Sequence, residues 1–281
     1  MHDVIVIGGG PAGLQAALTL GRMHRSVQLL DSGHYRNGTV EHAHNYVTHD
    51  GIAPAELRRL GRADLAAYGT VEIREVTAER IEQDGDEFVV HLADTSERAA
   101  AIVLATGVKD ALPDVPGLAD AWGSEIAHCP FCHGHELAGG RVALDVDGPH
   151  LERLTAMLSR IGADLVPVFG RVERVERRDG GLDLTLDDGT IHVDGMFIAP
   201  AFSQSAPFAA QLGLALNDSG CIRVNAFQGT SVAGVFAAGD AAHVPELPMP
   251  MSSIVTSQAA GLVAGAAAVQ HLLTRDVAPV A

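Results

Sequence analysis

The sequence predicts an α/β protein of two three-layer domains, the second inserted in the first and truncated. Three observations lead there. A β-branched run, Val4-Ile5-Val6-Ile7, meets a glycine turn and then an unbroken apolar stretch, the order strand, turn, helix. Two more strand-like segments closing on glycine recur far apart, at 101–107 and 230–240. Between them lies a stretch with its own strand and helix pattern, and the outer domain is expected to be discontinuous. The expected division is 1–113 with 202–281 for the outer domain and 114–201 for the insert.

The run Val4–Ile7 is of the kind buried in a parallel sheet. Gly8-Gly9-Gly10-Pro11-Ala12-Gly13 follows, then Leu14 to Leu20 without a breaker, then a second strand, Val27 to Leu30, ending on Asp31. A dinucleotide needs each part. Gly8 makes the tight turn, Gly10 lets the backbone approach a pyrophosphate, and Gly13 permits close helix–strand packing. The helix N-terminus offers unpaired N–H groups and a positive dipole end to the phosphates. Asp31 is placed to accept hydrogen bonds from a ribose 2′-hydroxyl and would repel a 2′-phosphate, so this Rossmann-like site suits FAD or NAD rather than NADP. A lone glycine motif is also compatible with a plain tight turn; the strand, helix and acid in register favour the nucleotide.

Composition narrows the partners. The 281 residues are 47% hydrophobic, enough for a buried core, and only 4% aromatic, which argues against base-stacking surfaces. The formal charge is −16, with no Lys/Arg cluster; such a field repels phosphate backbones and anionic lipid, so no nucleic acid and no membrane are expected. The start Met-His-Asp carries no signal-peptide pattern, and Ala259–Ala268 is too short to span a bilayer, so a cytoplasmic protein is expected. Three cysteines cannot make a disulfide framework, and two of them share one C-x-x-C.

That motif lies in His128-Cys129-Pro130-Phe131-Cys132-His133-Gly134-His135-Glu136. Four chemistries compete for it. Covalent haem attachment belongs to exported proteins. Zinc would use both cysteines and a histidine, but a second cysteine pair is missing and Cys221 stands alone. A structural pair of buried thiols is a third reading. A redox dithiol/disulfide is favoured: two intervening residues let the sulfurs approach in a turn at a helix start, and helix dipole and imidazolium both stabilise thiolate.

Ala101 to Leu104 followed by Ala105-Thr106-Gly107, and Thr230 to Ala238 followed by Gly239-Asp240, resemble the accessory motifs of flavoprotein disulfide reductases with two dinucleotide domains. Along nearly its whole length the chain resembles a low-molecular-weight thioredoxin reductase. The stretch Cys-Pro-Phe-Cys-His-Gly-His-Glu is more similar to the FAD-dependent dithiol oxidases of gliotoxin and holomycin biosynthesis, because His133 stands where thioredoxin reductases carry an acid. The resemblance implies FAD as cofactor, with Asp240 on its ribityl chain and Asn45, in Glu41–Tyr46, beside the flavin. It implies that Cys132 faces the flavin, that Cys129 meets substrate, and that His133 is the general acid/base; a helix-capping role is the plainer reading of His133. The candidate cofactor contacts are completed by Pro11, Ala12, Ser32, Arg36, Val76, Ala105, Thr106, Gly107, Gly239 and Gln258, the last on a final helix expected to begin near 252–258. The histidines at 42, 44 and 49 are read as solvated loop, and no metal is expected.

In the middle region, Arg141 to Val146 reads as a strand and Leu151 to Ile161 as a helix. Between them, where a phosphate-binding glycine turn belongs, stands Asp145-Val146-Asp147-Gly148-Pro149-His150, whose two carboxylates oppose phosphate. After a strand at 165–169 the chain enters hairpin segments at 172–177, 182–186 and 190–193 without a helix. Arg171 and Arg174 are single charges. At least one βα unit is therefore missing and no NADPH is expected. The resemblance then implies oxidation of a small-molecule dithiol through Cys129–Cys132 and FAD, with O2 as acceptor and a homodimer as the assembly. Reduction of a protein disulfide with electrons from ferredoxin is the alternative, and a flavin redox sensor without turnover is the alternative of another class.

Overall fold

In the computed structural model, which describes residues 1–276, the opening run forms β1 (His2–Ile7) and the apolar stretch forms α1 (Pro11–Arg22). There follow β2 (Val27–Leu30), α2 (Pro54–Leu65), β3 (Val71–Arg74), β4 (Arg80–Asp84), β5 (Glu87–His91) and β6 (Ser96–Leu104). The parallel core runs β3-β2-β1-β6. β5 and β4 extend it in antiparallel fashion from the first part of β6.

β7 (Val108–Ala111) leads out of this layer. The middle of the chain contains α3 (Leu118–Ala121), β8 (Ile126–Ala127), α4 (Pro130–His133), β9 (Arg141–Asp145), α5 (Gly148–Leu158) and β10 (Asp164–Pro167). After these come β11 (Val172–Arg178), β12 (Gly181–Leu186), β13 (Gly189–Val193) and β14 (Gly195–Ile198). A parallel sheet in the order β10-β9-β14-β8 forms, beside an antiparallel meander β11-β12-β13. β10 passes to β11 through residues 168–171 with no helix, as the sequence predicts.

β15 (Ala201–Gln204) leads back, and α6 (Phe208–Gln211), β16 (Ile222–Arg223), β17 (Val235–Ala237), β18 (Ala242–His243) and α7 (Ile254–Asp276) complete the described chain. β17 joins β6 in parallel along Ile102–Leu104, beyond the part that β5 pairs. Only residues 235–237 of the strand expected from 230 are extended. Thr230 turns its hydroxyl onto the Val232 and Val235 carbonyls, and Gly234 takes φ +80°, so a turn occupies the approach. α7 begins at Ile254 because Ser253 caps it, its hydroxyl accepting the Thr256 N–H at 3.1 Å.

The period-two alternation of β1 divides the first core: Val4 and Val6 pack with α1 and α7, whereas Ile5 and Ile7 pack with Phe88, Val90 and Phe208 on the other face. Small residues let α7 lie against α1, since a Cβ on Gly261 would sit 2.1 Å from the Ala12 carbonyl oxygen.

The backbone divides into two compact units: Met1–Arg36, Ala55–Lys109 and the chain from Ser203 onward, and Asn37–Pro54 with Asp110–Phe202. The sequence placed all of 1–113 together; here 37–54 joins the middle unit. Up to residue 53 that segment has no helix or strand, and it makes contacts such as Thr39 against Gly123 and His44 against Glu136.

Candidate functional site

The first unit holds the glycine turn expected to grip a dinucleotide. Gly8 takes φ +116°, and a Cβ there would lie 2.2 Å from the Ala105 carbonyl oxygen, so the turn requires glycine. A Cβ on Gly13 would be 1.8 Å from the Gly8 carbonyl oxygen, which is the close helix–strand approach that the motif demands. Gly10 instead faces open space, with nothing within 4 Å of where its Cβ would stand. It is the N-cap of α1, no side chain caps that end, and Pro11 occupies the first turn. An uncapped helix start beside bare backbone is a cradle that fits a pyrophosphate.

Asp31 ends β2 with only 2% of its surface exposed. It accepts the Tyr35 hydroxyl at 2.6 Å, the Gly33 N–H at 3.0 Å and the Arg62 guanidinium. Burial pushes its carboxyl up, but these three donors outweigh it and hold the group below the usual carboxylate range. A carboxylate has about four acceptor positions, so a ribose hydroxyl still fits. Asp31, Ser32, Tyr35, Arg62, Glu75 and Val76 line a cavity of about 390 Å³. Arg62 sits between Asp31 and Glu75, and Arg58 stacks on the Tyr35 ring at 3.8 Å.

Arg36 and Asp240, distant in sequence, meet at 2.8 Å. Arg36 also reaches the Ser252 hydroxyl at 3.1 Å, and Ser257 approaches the other Asp240 oxygen at 3.5 Å. Gly239 packs against Ala12, tying this corner to α1. The expected contacts Gly8, Gly10, Pro11, Ala12, Gly13, Arg36, Ala105, Gly239 and Asp240 are thus joined through α1, β6 and the turn after β17. Ser32 and Val76 gather with Asp31 at the cavity. Thr106 and Gly107 follow β6, and Gln258 lies half-buried in the first turns of α7. Tyr35, Arg58, Arg62, Ser252 and Ser257 were not found from the sequence, because no motif or spacing marks them.

The second unit holds the dithiol. β8 delivers His128 and Cys129, with the His128 ring stacked on Trp122 at 5.7 Å. Cys129 is the N-cap of α4, in extended conformation, and Pro130 sets the first helical residue. The Cys129 carbonyl accepts both the Cys132 N–H at 3.1 Å and the His133 N–H at 3.2 Å, so one tight turn carries both cysteines and His133. Both cysteines are half-buried, whereas Phe131 is exposed.

His133 Nδ1 is enclosed and has no hydrogen-bond partner. Burial holds this imidazole below the usual histidine range; the Gly123 carbonyl and Glu136 oppose the shift, and His44 adds to it. Burial thus favours the neutral form of this ring more than water would. Asn45, expected beside the flavin, takes φ +60° in the same unit and donates its N–H to Asp50 at 2.7 Å.

The third cysteine plays no part in the dithiol: Cys221 is buried in the first unit, its thiol donating to the Asp240 carbonyl at 3.5 Å, and burial pushes its pKa up. Among the described residues no group of three or more His, Cys, Asp and Glu side chains could hold a metal ion, and no helix is long and apolar enough to cross a membrane.

Residues 2–148 and 166–261 match the model of the pyridine nucleotide-disulphide oxidoreductase family. The chain is 34% identical to the thioredoxin reductase tcpT of Claviceps purpurea, over 85% of this chain and 86% of that protein. It is 33% identical to the thioredoxin reductase sirT of Leptosphaeria maculans, over 99% and 96% respectively. Among solved structures it is similar to an oxidoreductase from Agrobacterium tumefaciens, with a TM-score of 0.85 and 30% identity over 97% of this chain and 99% of that one. With its glycine turn, its dithiol and these relatives, the chain belongs to the pyridine nucleotide-disulphide oxidoreductases, as a thioredoxin-reductase-like member.

Proposed function

We propose that this oxidoreductase binds FAD and oxidises a small-molecule dithiol to a disulfide through Cys129 and Cys132, with O2 as acceptor and without NADPH. The observation that carries this reading is His133: a half-buried imidazole one residue past Cys132, its neutral form favoured by burial, with its Nδ1 enclosed and unpartnered. Imidazole suits proton transfer to and from thiols near neutral pH.

A substrate thiolate attacks Sγ of Cys129, breaking the Cys129–Cys132 bond and leaving Cys132 as the thiolate. The second substrate sulfur then attacks its partner in the mixed disulfide, so that a cyclic disulfide departs and Cys129 is released as a thiol. His133 accepts a substrate thiol proton in this sequence and returns it later. The two electrons are then held by the cysteine pair. FAD, which the glycine turn, Asp31 and Asp240 would hold, would supply the two-electron acceptor for the cysteine pair, with O2 as the final acceptor and hydrogen peroxide as the product.

The turn between β9 and α5 supports the exclusion of NADPH from the scheme. Asp147 is the N-cap of α5 and is exposed, and Asp145 ends β9 half-buried, its carboxyl pushed up by burial. Acids at a helix N-terminus take the place that a phosphate would need. The direct passage from β10 to the meander removes the layer that would flank an adenosine half.

The test is an anaerobic titration of the flavin-bound protein followed by visible absorbance. Dithiothreitol is expected to bleach the flavin and NADPH to leave it unchanged, with colour returning in air as peroxide accumulates. Prompt bleaching by NADPH would overturn the reading in favour of an NADPH-dependent reductase.

A further inference from the structure

We propose that Arg62 sets the preference of this protein for FAD over FMN: it pins one oxygen of Asp31 and so presents the other to the ribose of the adenosine half. The inference rests on the FAD part of the reading above and adds a positioning residue to it. All the groups concerned belong to the first compact unit.

The two oxygens of Asp31 are used differently. Oδ2 accepts the Tyr35 hydroxyl at 2.6 Å and the Arg62 Nη2 at 2.5 Å. It also lies against the glycine turn, since a Cβ on Gly9 would sit 1.9 Å from it. Oδ1 accepts the Gly33 N–H at 3.0 Å. A carboxylate oxygen has about two acceptor positions, so Oδ2 is saturated and Oδ1 keeps one for a ligand hydroxyl. With 2% of its surface exposed, Asp31 cannot replace a lost partner from bulk water.

Arg62 fixes this arrangement from α2. Its other arm, Nη1, is 2.5 Å from a Glu75 oxygen, so the planar fork spans two acids that both line the cavity of about 390 Å³. That volume falls within the range of small-molecule pockets, about 300–1,000 Å³. Tyr35 is itself held, with Arg58 over its ring at 3.8 Å and Arg62 Nη2 3.4 Å from its hydroxyl. Without Arg62, Oδ2 loses a donor and the carboxylate is no longer held with Oδ1 outward. FMN shares the ring system, ribityl chain and first phosphate of FAD but has no adenosine half, so nothing in it reaches Asp31. The effect of Arg62 therefore falls on FAD alone.

The experiment incubates full-length holoenzyme with FAD and a graded excess of FMN, and reads the ratio of bound flavins by mass spectrometry. Arg62→Met removes both arms at similar length. It is expected to lower the preference for FAD about 10- to 100-fold, the size of a lost hydrogen bond to a charged group. A general loss of stability leaves the ratio unmoved, because both flavins need the folded protein. Arg62→Lys keeps the charge without the fork; it should shift the ratio the same way by less, and it decides the test if Arg62→Met does not fold. On an Asp31→Asn background, Arg62→Met should add no further shift. A full further shift there, or an unchanged ratio in the folded Arg62 variants, overturns the role of Arg62 while FAD binding stands. A wild type that takes FMN as readily as FAD also overturns it, and one that takes no flavin overturns the FAD reading as well.

Discussion

Two strand–turn–helix units of this chain share one topology and differ in charge at the turn, one uncharged and the other acidic. From β1 to α1 the chain passes Gly8-Gly9-Gly10-Pro11 with no acid in the first helical turn; from β9 to α5 it passes Asp145-Val146-Asp147-Gly148-Pro149. Both helices start on an extended N-cap residue with no side-chain cap, and both have proline at the start. The helix dipole favours anions at the N-terminus of each. What differs is the charge the chain has already placed there. At Gly10 the cradle is bare backbone; at α5 a carboxylate holds the N-cap position. In our reading the same backbone device serves a phosphate in one unit and only holds a sheet in the other.

The comparison can be broken hardest at its first member. Gly13→Val is expected to abolish flavin retention and to destabilise the fold by more than about 4 kcal/mol, because its Cβ would overlap the Gly8 carbonyl. The flavin-to-protein absorbance ratio and a denaturation midpoint check this. A variant that keeps a full complement of flavin would show that the turn is not the phosphate cradle.

Next in size is the dithiol side. His133→Asn should lower the rate of flavin bleaching by dithiothreitol about 10²–10⁴-fold while the flavin stays bound. The sign of its pH dependence follows from burial: a histidine held below about 6.5 stays a base to lower pH than usual. The acid limb of the wild-type rate therefore falls below about 6.5, and neutral His133 favours the fold at pH above 6.5, a contribution lost as the pH falls through its lowered folded pKa. An acid limb above that value would contradict the assignment.

Asp240→Asn is smaller. It removes the charge partner of Arg36, and hydrogen bonds to charged groups contribute about 1.5–3 kcal/mol, so flavin affinity should weaken by about 10- to 100-fold. Measured by flavin dissociation, an unchanged affinity would place the ribityl contact elsewhere.

The smallest expected effect sharpens the second member. Asp145→Gly combined with Asp147→Gly removes the repelling charge, yet NADPH should still leave the flavin absorbance unchanged, because no helix intervenes between β10 and β11. Bleaching gained by this double variant would mean that charge alone closes the site.

Local patterns were readable because short-range physics fixes them. The strand, turn and helix from Val4 to Leu20, the C-x-x-C at a helix start, and the helix-free passage after β10 each follow from residues within one or two turns of chain. The glycines at 8 and 13 announced close approaches, and the distances now account for them. Arg62 is different: it reaches Asp31 from a helix 31 residues away, with no motif to mark it. The same is true of Ser252 on Arg36 and of His44 on Glu136.

The sequence by itself determined the α/β class, the nucleotide turn, the dithiol and its histidine, because periodicity, glycine sterics and thiol chemistry are local. Only the tertiary structure decided that 37–54 belongs with the middle unit, that Asp31 is held by Arg62 and Tyr35, and that His133 is half-buried with its Nδ1 enclosed. Those are long-range pairings, set by which faces the sheets bury, and burial and neighbouring charge are what give a carboxylate or an imidazole its proton affinity.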